Sequence, residues 1–445
     1  MNGNKFGSWL GIRGFGESHG AAVGVLLEDI KPGIKFPIKE IEQELERRRP
    51  GKAEFTSSRR ESDRIKILSG VIDGITTGMP ICLVVYNEDQ HSEDYTALKE
   101  IFRPGHADWS WYQKFKILDW RGGGRASGRE TIARVASGAV VKELIMPIKV
   151  EAYPVQIGTV KAGAFQEGFT NQLFWHDANT YDAVLQELSD AKEAGDSLGG
   201  ILEIRISNIR SGLGDPVFGK LDAKLAEALL SIGGVKGIEF GAGFKFAGWH
   251  GSLANDQMDA SGFLTNHSGG ILGGISTGEP VIMHLVVKPT SSISKKQKTV
   301  DIYNTEHEIE IKGRHDTCLL FRIIPVAEAM VRLVLADCVS YQKLIEGNER
   351  SLDDYREVLD RIDEDILLAL KRRREIIKLI GEYKLMKNLN ILDTHREIGL
   401  INDLKSKAEL WNINPQLVES IWELILADSR KSQEGIRNDS IKSDS

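Results

Sequence analysis

The chain changes texture near residue 345, and that break constrains its fold more than any other feature. Before it lie nearly all of the 45 glycines, set among short β-branched runs such as IKILSGVIDGITTGMPICLVVYN that turns separate. Short strands with turn punctuation, mixed with helical stretches over Ile38 to Arg49, Thr131 to Leu144 and Lys220 to Leu230, predict an α+β fold. After the break, Leu352, Tyr355, Leu359, Ile362, Ile366, Leu370, Ile377 and Ile380 recur at spacings of three, four or seven, the helical period. The run from Leu352 to about Met386 predicts a helix roughly 50 Å long at 1.5 Å per residue. Asp393 and Pro415 mark the starts of two shorter helices. One long and two shorter helices cannot enclose a core alone, so this all-α module is expected to pair with a copy of itself. The expected boundaries are 1–345 for the first domain, 346–437 for the helical module and 438–445 for a disordered tail.

Two domains suit a chain of 445 residues, which is too long for one ordinary core. The net charge of -7 argues against a nucleic-acid binder, which needs a basic field, but permits anionic small ligands held by local arginines. Cys82, Cys318 and Cys338 lie far apart and form no CxxC pair. They read as reduced core thiols of a cytoplasmic protein, with neither a disulfide frame nor a metal site. The N-terminus has no basic region followed by an apolar stretch, so no signal peptide is expected. The apolar run from Val331 to Val339 is broken by Arg332 and Asp337 and is too short to span a membrane.

Within the first domain, Arg47, Arg48 and Arg49 precede the Pro50-Gly51 break at a helix end. That break turns guanidinium groups toward a loop where they can fork onto carboxylate or phosphate. A single histidine is more often a hydrogen-bonded structural residue than a catalyst. His19 in GFGESHG and His106 in RPGHAD, however, stand in glycine-flanked loops beside Glu17 or Arg103, where either could instead serve as a proton donor near neutral pH. The segment WRGGGRASGRET, Trp120 to Thr131, resembles an anion cradle running into a helix. It is not a GxGxxG dinucleotide fingerprint. Ser231 to Gly278 is dense in glycine beside basic residues, which suits backbone approaching a flat or phosphorylated ligand. GRHDTC, Gly313 to Cys318, packs Arg314, His315 and Asp316 together.

GFGESHG, RRRPG, DWRGGGRASGRET, NHSGGILGGIS, KPTSSI and GRHDTC occur in the order and approximate spacing of chorismate synthases, and the resemblance covers nearly all of residues 5 to 340. It implies a helical layer between antiparallel sheets, a homotetramer, and conversion of 5-enolpyruvylshikimate 3-phosphate to chorismate by 1,4-elimination of phosphate. It also implies reduced FMN that is not consumed. By that resemblance His19 and His106 are the catalytic histidines, one protonating the reduced flavin and one assisting departure of phosphate. Asp316 lies beside the flavin's reactive nitrogen, and Ser18 and Ser127 support these groups. Flavin contacts carry over to Arg125, Ala126, Ser127, Gly233, Gly234, Gly273, Lys288, Pro289, Thr290, Ser291, Ser292 and Arg314, and substrate anions to Arg48, Arg129 and Arg134. Thr317 stands where the family usually has proline, a change expected to loosen the loop holding Asp316. Glu54 occupies a position that is basic in some members and linked there to pyridine nucleotide. Reduced FMN is therefore expected from an external flavin reductase, with NADPH involved only indirectly.

In the helical module, Arg373 and Lys384 are eleven residues apart and return to nearly one face after three turns. Asp393 with Arg396 and Glu397, and Ser429 with Gln433, are likewise same-face sets. Arg356 lies about 26 Å from Arg373 along a straight helix and on another face, so a shared small dianion requires it from a second chain. This stretch resembles the all-helical type II chorismate mutases, whose intertwined dimers share each site. The resemblance implies that Arg356 of the partner, Arg373 and Arg396 clamp the carboxylates of chorismate. Lys384 and Gln433 then bond the ether oxygen, Glu397 the ring hydroxyl, and Asp393 and Ser429 complete the pocket for rearrangement to prephenate. The alternative is a non-catalytic module that senses chorismate or dimerises the synthase. Inward placement of Lys384 and Gln433 distinguishes the two, since a mere dimer bundle has no reason for it.

Overall fold

Alternating side chains build two antiparallel sheets in the first unit. In chain order the first half holds β1 (Lys5–Phe6), β2 (Ile12–Gly16), β3 (Ala22–Leu27), α1 (Ile38–Arg48), β4 (Ile65–Ser69), the hairpin of β5 (Val71–Ile72) and β6 (Ile75–Thr76), and β7 (Ile81–Tyr86). Next come α2 (Asp108–Phe115), α3 (Thr131–Val140), β8 (Lys149–Ile157), β9 (Val160–Lys161), α4 (Tyr181–Glu193), β10 (Gly200–Ser207), α5 (Leu221–Leu230) and β11 (Val235–Phe240). A short helix α6 (Gly251–Ala254) precedes two small hairpins, β12 (Met258–Asp259) with β13 (Gly262–Phe263), and β14 (Ile271–Leu272) with β15 (Ile275–Ser276). β16 (Val281–Val287), the hairpin of β17 (Gln297–Val300) and β18 (Glu306–Ile309), and α7 (Leu320–Glu346) complete the unit. This computed structural model describes residues 3–49, 55, 62–88, 98–163, 171–311, 315–346, 352–410 and 413–443. The chain divides into two units, Met1–Glu346 and Gly347–Ser445.

One sheet runs β1-β2-β3-β7-β4 and the other β11-β16-β10-β8-β9. Val23 and Val25 of β3, and Leu202, Ile204 and Ile206 of β10, are buried at every second position, as a strand with one covered face requires. The helical layer lies between them: α3 packs on β3 and on α7, and α7 packs on β8 and β10. α7 is apolar on all sides over its first five turns because it is enclosed there. Its buried charges Glu328, Arg332 and Asp337 are all satisfied in the core, and Arg322 at its start pairs with Asp316. Arg332 pairs with Glu44 and Glu328 at 3.2 and 3.1 Å, and Asp337 accepts N–H bonds from Ser8, Trp9 and Leu10. This is the helical layer between antiparallel sheets that the motifs implied.

The second unit holds α8 (Leu352–Met386), α9 (Thr394–Leu410) and α10 (Pro415–Ser443), with α10 packed on both others. α8 spans the stretch its periodicity predicted, while α3 stops earlier than expected and gives way to a 3-10 turn over Glu143–Ile145. The segment expected to be a disordered tail from 438 is instead helical through Ser443. No proline interrupts it, and extending an existing helix fixes only one residue per added bond.

Candidate active sites

Three loops of the first unit converge on the predicted histidines. Ser18 and His19 follow β2 and are buried. The glycine-rich segment before α3 lies against them: a Cβ added at Gly122 would stand 2.6 Å from His19 Nε2, and one at Gly123 would stand 3.3 Å from Arg103 Nη2. Arg103 forks onto Asp108 at 2.7 and 2.8 Å, which closes the RPGHAD loop around His106. His106 Nδ1 lies 3.0 Å from the Pro104 carbonyl and Nε2 lies 2.9 Å from Ser292 Oγ. A carbonyl only accepts, so Nδ1 carries the proton and Nε2 accepts from Ser292. Burial, then the Arg103 charge, holds the imidazole down to about 4, so it is neutral at pH 7.

The KPTSSI segment is clipped to the same place. Lys288 Nζ donates to the Gly105 carbonyl and to Ser291 Oγ, both at 2.6 Å, and the Lys288 N–H donates to Gly234 at 2.9 Å. His106, Lys288, Ser291, Ser292 and the Gly233–Gly234 turn therefore belong to one cluster, with Pro289 and Thr290 inside it. Ser127 caps the 3-10 turn Gly128–Glu130 by accepting from the Arg129 N–H, with Ala126 just before it, while Arg125 reaches back to Gly16 and Asn4. Among the described residues Ser18 Oγ and Thr290 Oγ1 are buried without a partner, and a Cβ at Gly128 or Gly233 would meet open space. Unsatisfied hydroxyls, open backbone and cations suit a polar anionic cofactor.

Arg48 and Arg129 share one carboxylate that sequence reasoning missed. Arg48 Nη2 lies 2.8 Å from Asp63 Oδ2 and Arg129 Nη1 lies 3.0 Å from Asp63 Oδ1, and all three side chains are almost fully buried. Burial pushes Arg48 down to about 10 against the opposing pull of Asp63. Burial would raise Asp63, but the two arginines outweigh it and hold it below the usual carboxylate range. Arg322, whose charge acts on Arg48, pairs with Asp316 at 2.6 Å. Two ion pairs, Asp63–Arg48 and Arg322–Asp316, thus stand with their like-charged arginines toward each other.

Other predicted positions stand apart. Arg134 is tied to Glu130 at 2.9 Å and to Ser231 Oγ at 2.5 Å, on the loop just before Gly233. Gly273 sits in the β14–β15 turn beside the start of α5, whereas Gly233 and Gly234 follow its end, about 15 Å away along ten residues of helix. One chain does not bring Gly273 to the others. Arg314 and Glu54 lie outside the described residues. The loop at Thr317 is pinned rather than loosened: the Thr317 N–H donates to Phe55 at 3.0 Å, a bond proline cannot make, and its carbonyl accepts from Leu198 at 2.8 Å.

In the second unit, Arg373 Nη1 donates to Ser429 Oγ, tying α8 to α10. Lys384 is half-buried, with Nζ 2.6 Å from the Ile391 carbonyl. It lines a cleft with Gly381, Leu385, Asn388, Leu389, Ile391 and Gln433. Gln433 is buried, and among the described residues its Oε1 has no partner. Both therefore turn inward. Asp393 caps α9 by accepting from the Arg396 N–H at 3.0 Å, and Glu397 pairs with Arg430 at 2.5 Å. Arg356 and Arg396 are exposed in the single chain.

A family model described as chorismate synthase matches residues 10–340, and one described as chorismate mutase type II matches residues 355–434. The chain belongs to the chorismate synthase family. It is 47% identical over 350 residues to the chorismate synthase of Syntrophobacter fumaroxidans, covering 78% of this chain and 99% of the relative. The chorismate synthase of Archaeoglobus fulgidus is 48% identical over 355 residues, covering 77% and 98%. A solved crystal structure of chorismate synthase superposes with a TM-score of 0.58 at 28% identity, over 81% of this chain and 98% of that one. A chorismate synthase and a type II chorismate mutase joined in one chain make a bifunctional enzyme of aromatic amino-acid biosynthesis. It converts 5-enolpyruvylshikimate 3-phosphate to chorismate, and chorismate to prephenate.

Proposed function

We propose that the two steps run in separate anion pockets, one in a domain of residues 1–345 with reduced FMN, the other without any cofactor in the helical module from 346. The observation that carries the first pocket is the convergence of His19, His106, Arg103 and Lys288 around glycine backbone and unsatisfied hydroxyls. Arg125, Ala126, Ser127, the Gly233–Gly234 turn and Lys288 to Ser292 would hold FMN, and when bound and reduced it lends electron density that helps expel phosphate. Arg48, Arg129 and Arg134 bind the substrate's anionic groups, which takes them partly from Asp63 and Glu130. His106, neutral in the free enzyme, holds its Nε2 free of charge until a phosphate beside it favours the imidazolium. His19 moves a proton at Nε2 against Gly122, and Asp316, steadied by Arg322, takes one up.

In the mutase pocket no bond to protein forms. Arg373 and Arg396, with the partner's Arg356, clamp two carboxylates, while Lys384 and Gln433 meet the ether oxygen where charge develops. The exposed apolar side chains of Ile366, Leu367, Leu379 and Met386 on α8 support pairing with a second copy. This reading extends to a homotetramer whose mutase modules pair, to a cytoplasmic setting, and to an external reductase that spends NADPH on the flavin. Among the described residues no helix is long and apolar enough to cross a membrane. An anaerobic titration with reduced FMN, followed by flavin absorbance, tests the first pocket. One FMN per chain, weakened in Arg125→Ala, is expected, and absence of binding would discard the flavin assignment.

A further inference from the structure

We propose that Arg430 is a positioning residue of the mutase site, holding the Glu397 carboxylate where it meets the ring hydroxyl of chorismate. The proposal rests on the role given to Glu397 above. One turn of α10 gathers the site side chains of both other helices. Ser429 takes Arg373 of α8, and Arg430, about 100° further round, takes Glu397 of α9 at 2.5 Å. Gln433, four residues beyond Ser429 and on its face, lines the cleft with Lys384.

Glu397 stands in the first turn of α9, and its long side chain has no other hydrogen-bond partner than Arg430 among those the structure records for it. The pair is 34% and 22% exposed, open enough to meet a ligand and covered enough to limit screening. A carboxylate has about four lone-pair positions. Arg430 occupies Oε2, which leaves Oε1 to accept a hydroxyl hydrogen bond while the guanidinium keeps the group aimed. Arginine at this place also keeps a fourth guanidinium near the pocket without spending it on the substrate carboxylates.

The test is mutase kcat/KM on the full chain for Arg430→Met, Arg430→Lys, Glu397→Ala and the double variant Glu397→Ala/Arg430→Met, with melting curves for each. Methionine keeps the aliphatic packing of the stem, and lysine keeps the charge. We expect R430M to lose about tenfold or more, as for a charge-assisted hydrogen bond removed, with R430K recovering part of it. The double variant should then be no slower than E397A alone. Wild-type kinetics in R430M, or an R430M loss that persists in full in the E397A background, would overturn the proposal. A wild-type rate in E397A would instead remove the underlying role of Glu397, whatever R430M does.

Discussion

Gly122 lies so close to His19 that a single added methyl group would come within 2.6 Å of the imidazole Nε2. Its φ of +70° is also one that side chains rarely adopt. Gly122→Ala is therefore expected to displace His19 and lower synthase kcat by about tenfold or more, as a misplaced catalytic group does. Mutase turnover of chorismate by the same preparation should be unchanged, which separates a local effect from misfolding.

Asp63 carries a larger share of the first pocket than its place in the sequence suggests. Asp63→Asn removes the carboxylate that buried Arg48 and Arg129 share, and breaking such a pair costs about 3–5 kcal/mol. A lower melting temperature for the synthase unit and loss of synthase activity are expected together. Calorimetry of the variant beside the parent chain checks this, and unchanged melting would contradict it.

His106 makes stability depend on pH in a defined direction. Its folded pKa of about 4 lies below the ordinary histidine value, so between about 6.5 and 4 the unfolded chain binds more protons. Its contribution is fully present above about 6.5 and is lost as pH falls toward 4. His106→Asn removes the titration, so its melting temperature should fall less than that of the parent between pH 7 and pH 4.5. Parallel melting curves across that range would contradict the assignment.

The parts of this molecule legible in its sequence are those set by local periodicity and contiguous motif. α8 follows from apolar spacing over 35 residues, and the histidine and glycine loops from short runs whose members stay together in space. Asp63 was not legible, because it meets residues 15 and 66 positions away and has no pattern of its own. The Arg430–Glu397 pair likewise joins residues 33 positions apart on two helices. The end of α10 escaped for a different reason: polar composition suggests a tail, yet nothing in RNDSIKS stops a helix already formed.

Lys384 makes the sharpest prediction in the helical module. Its ammonium is half-buried and held by one carbonyl, that of Ile391, so it is poised to exchange that acceptor for a developing charge. Lys384→Ala should lower mutase kcat by about 10²-fold or more, as removal of one preorganised donor does. Steady-state rates on chorismate provide the check, with the synthase rate as internal control.

The most direct test of two activities in one chain is to give the purified protein chorismate alone, with no flavin, and follow its disappearance. The account predicts prephenate at the full rate, retained in His106→Ala and lost in Lys384→Ala. Chorismate left unconsumed by the parent chain would contradict it, and would make the C-terminal helices a binding or dimerising module instead.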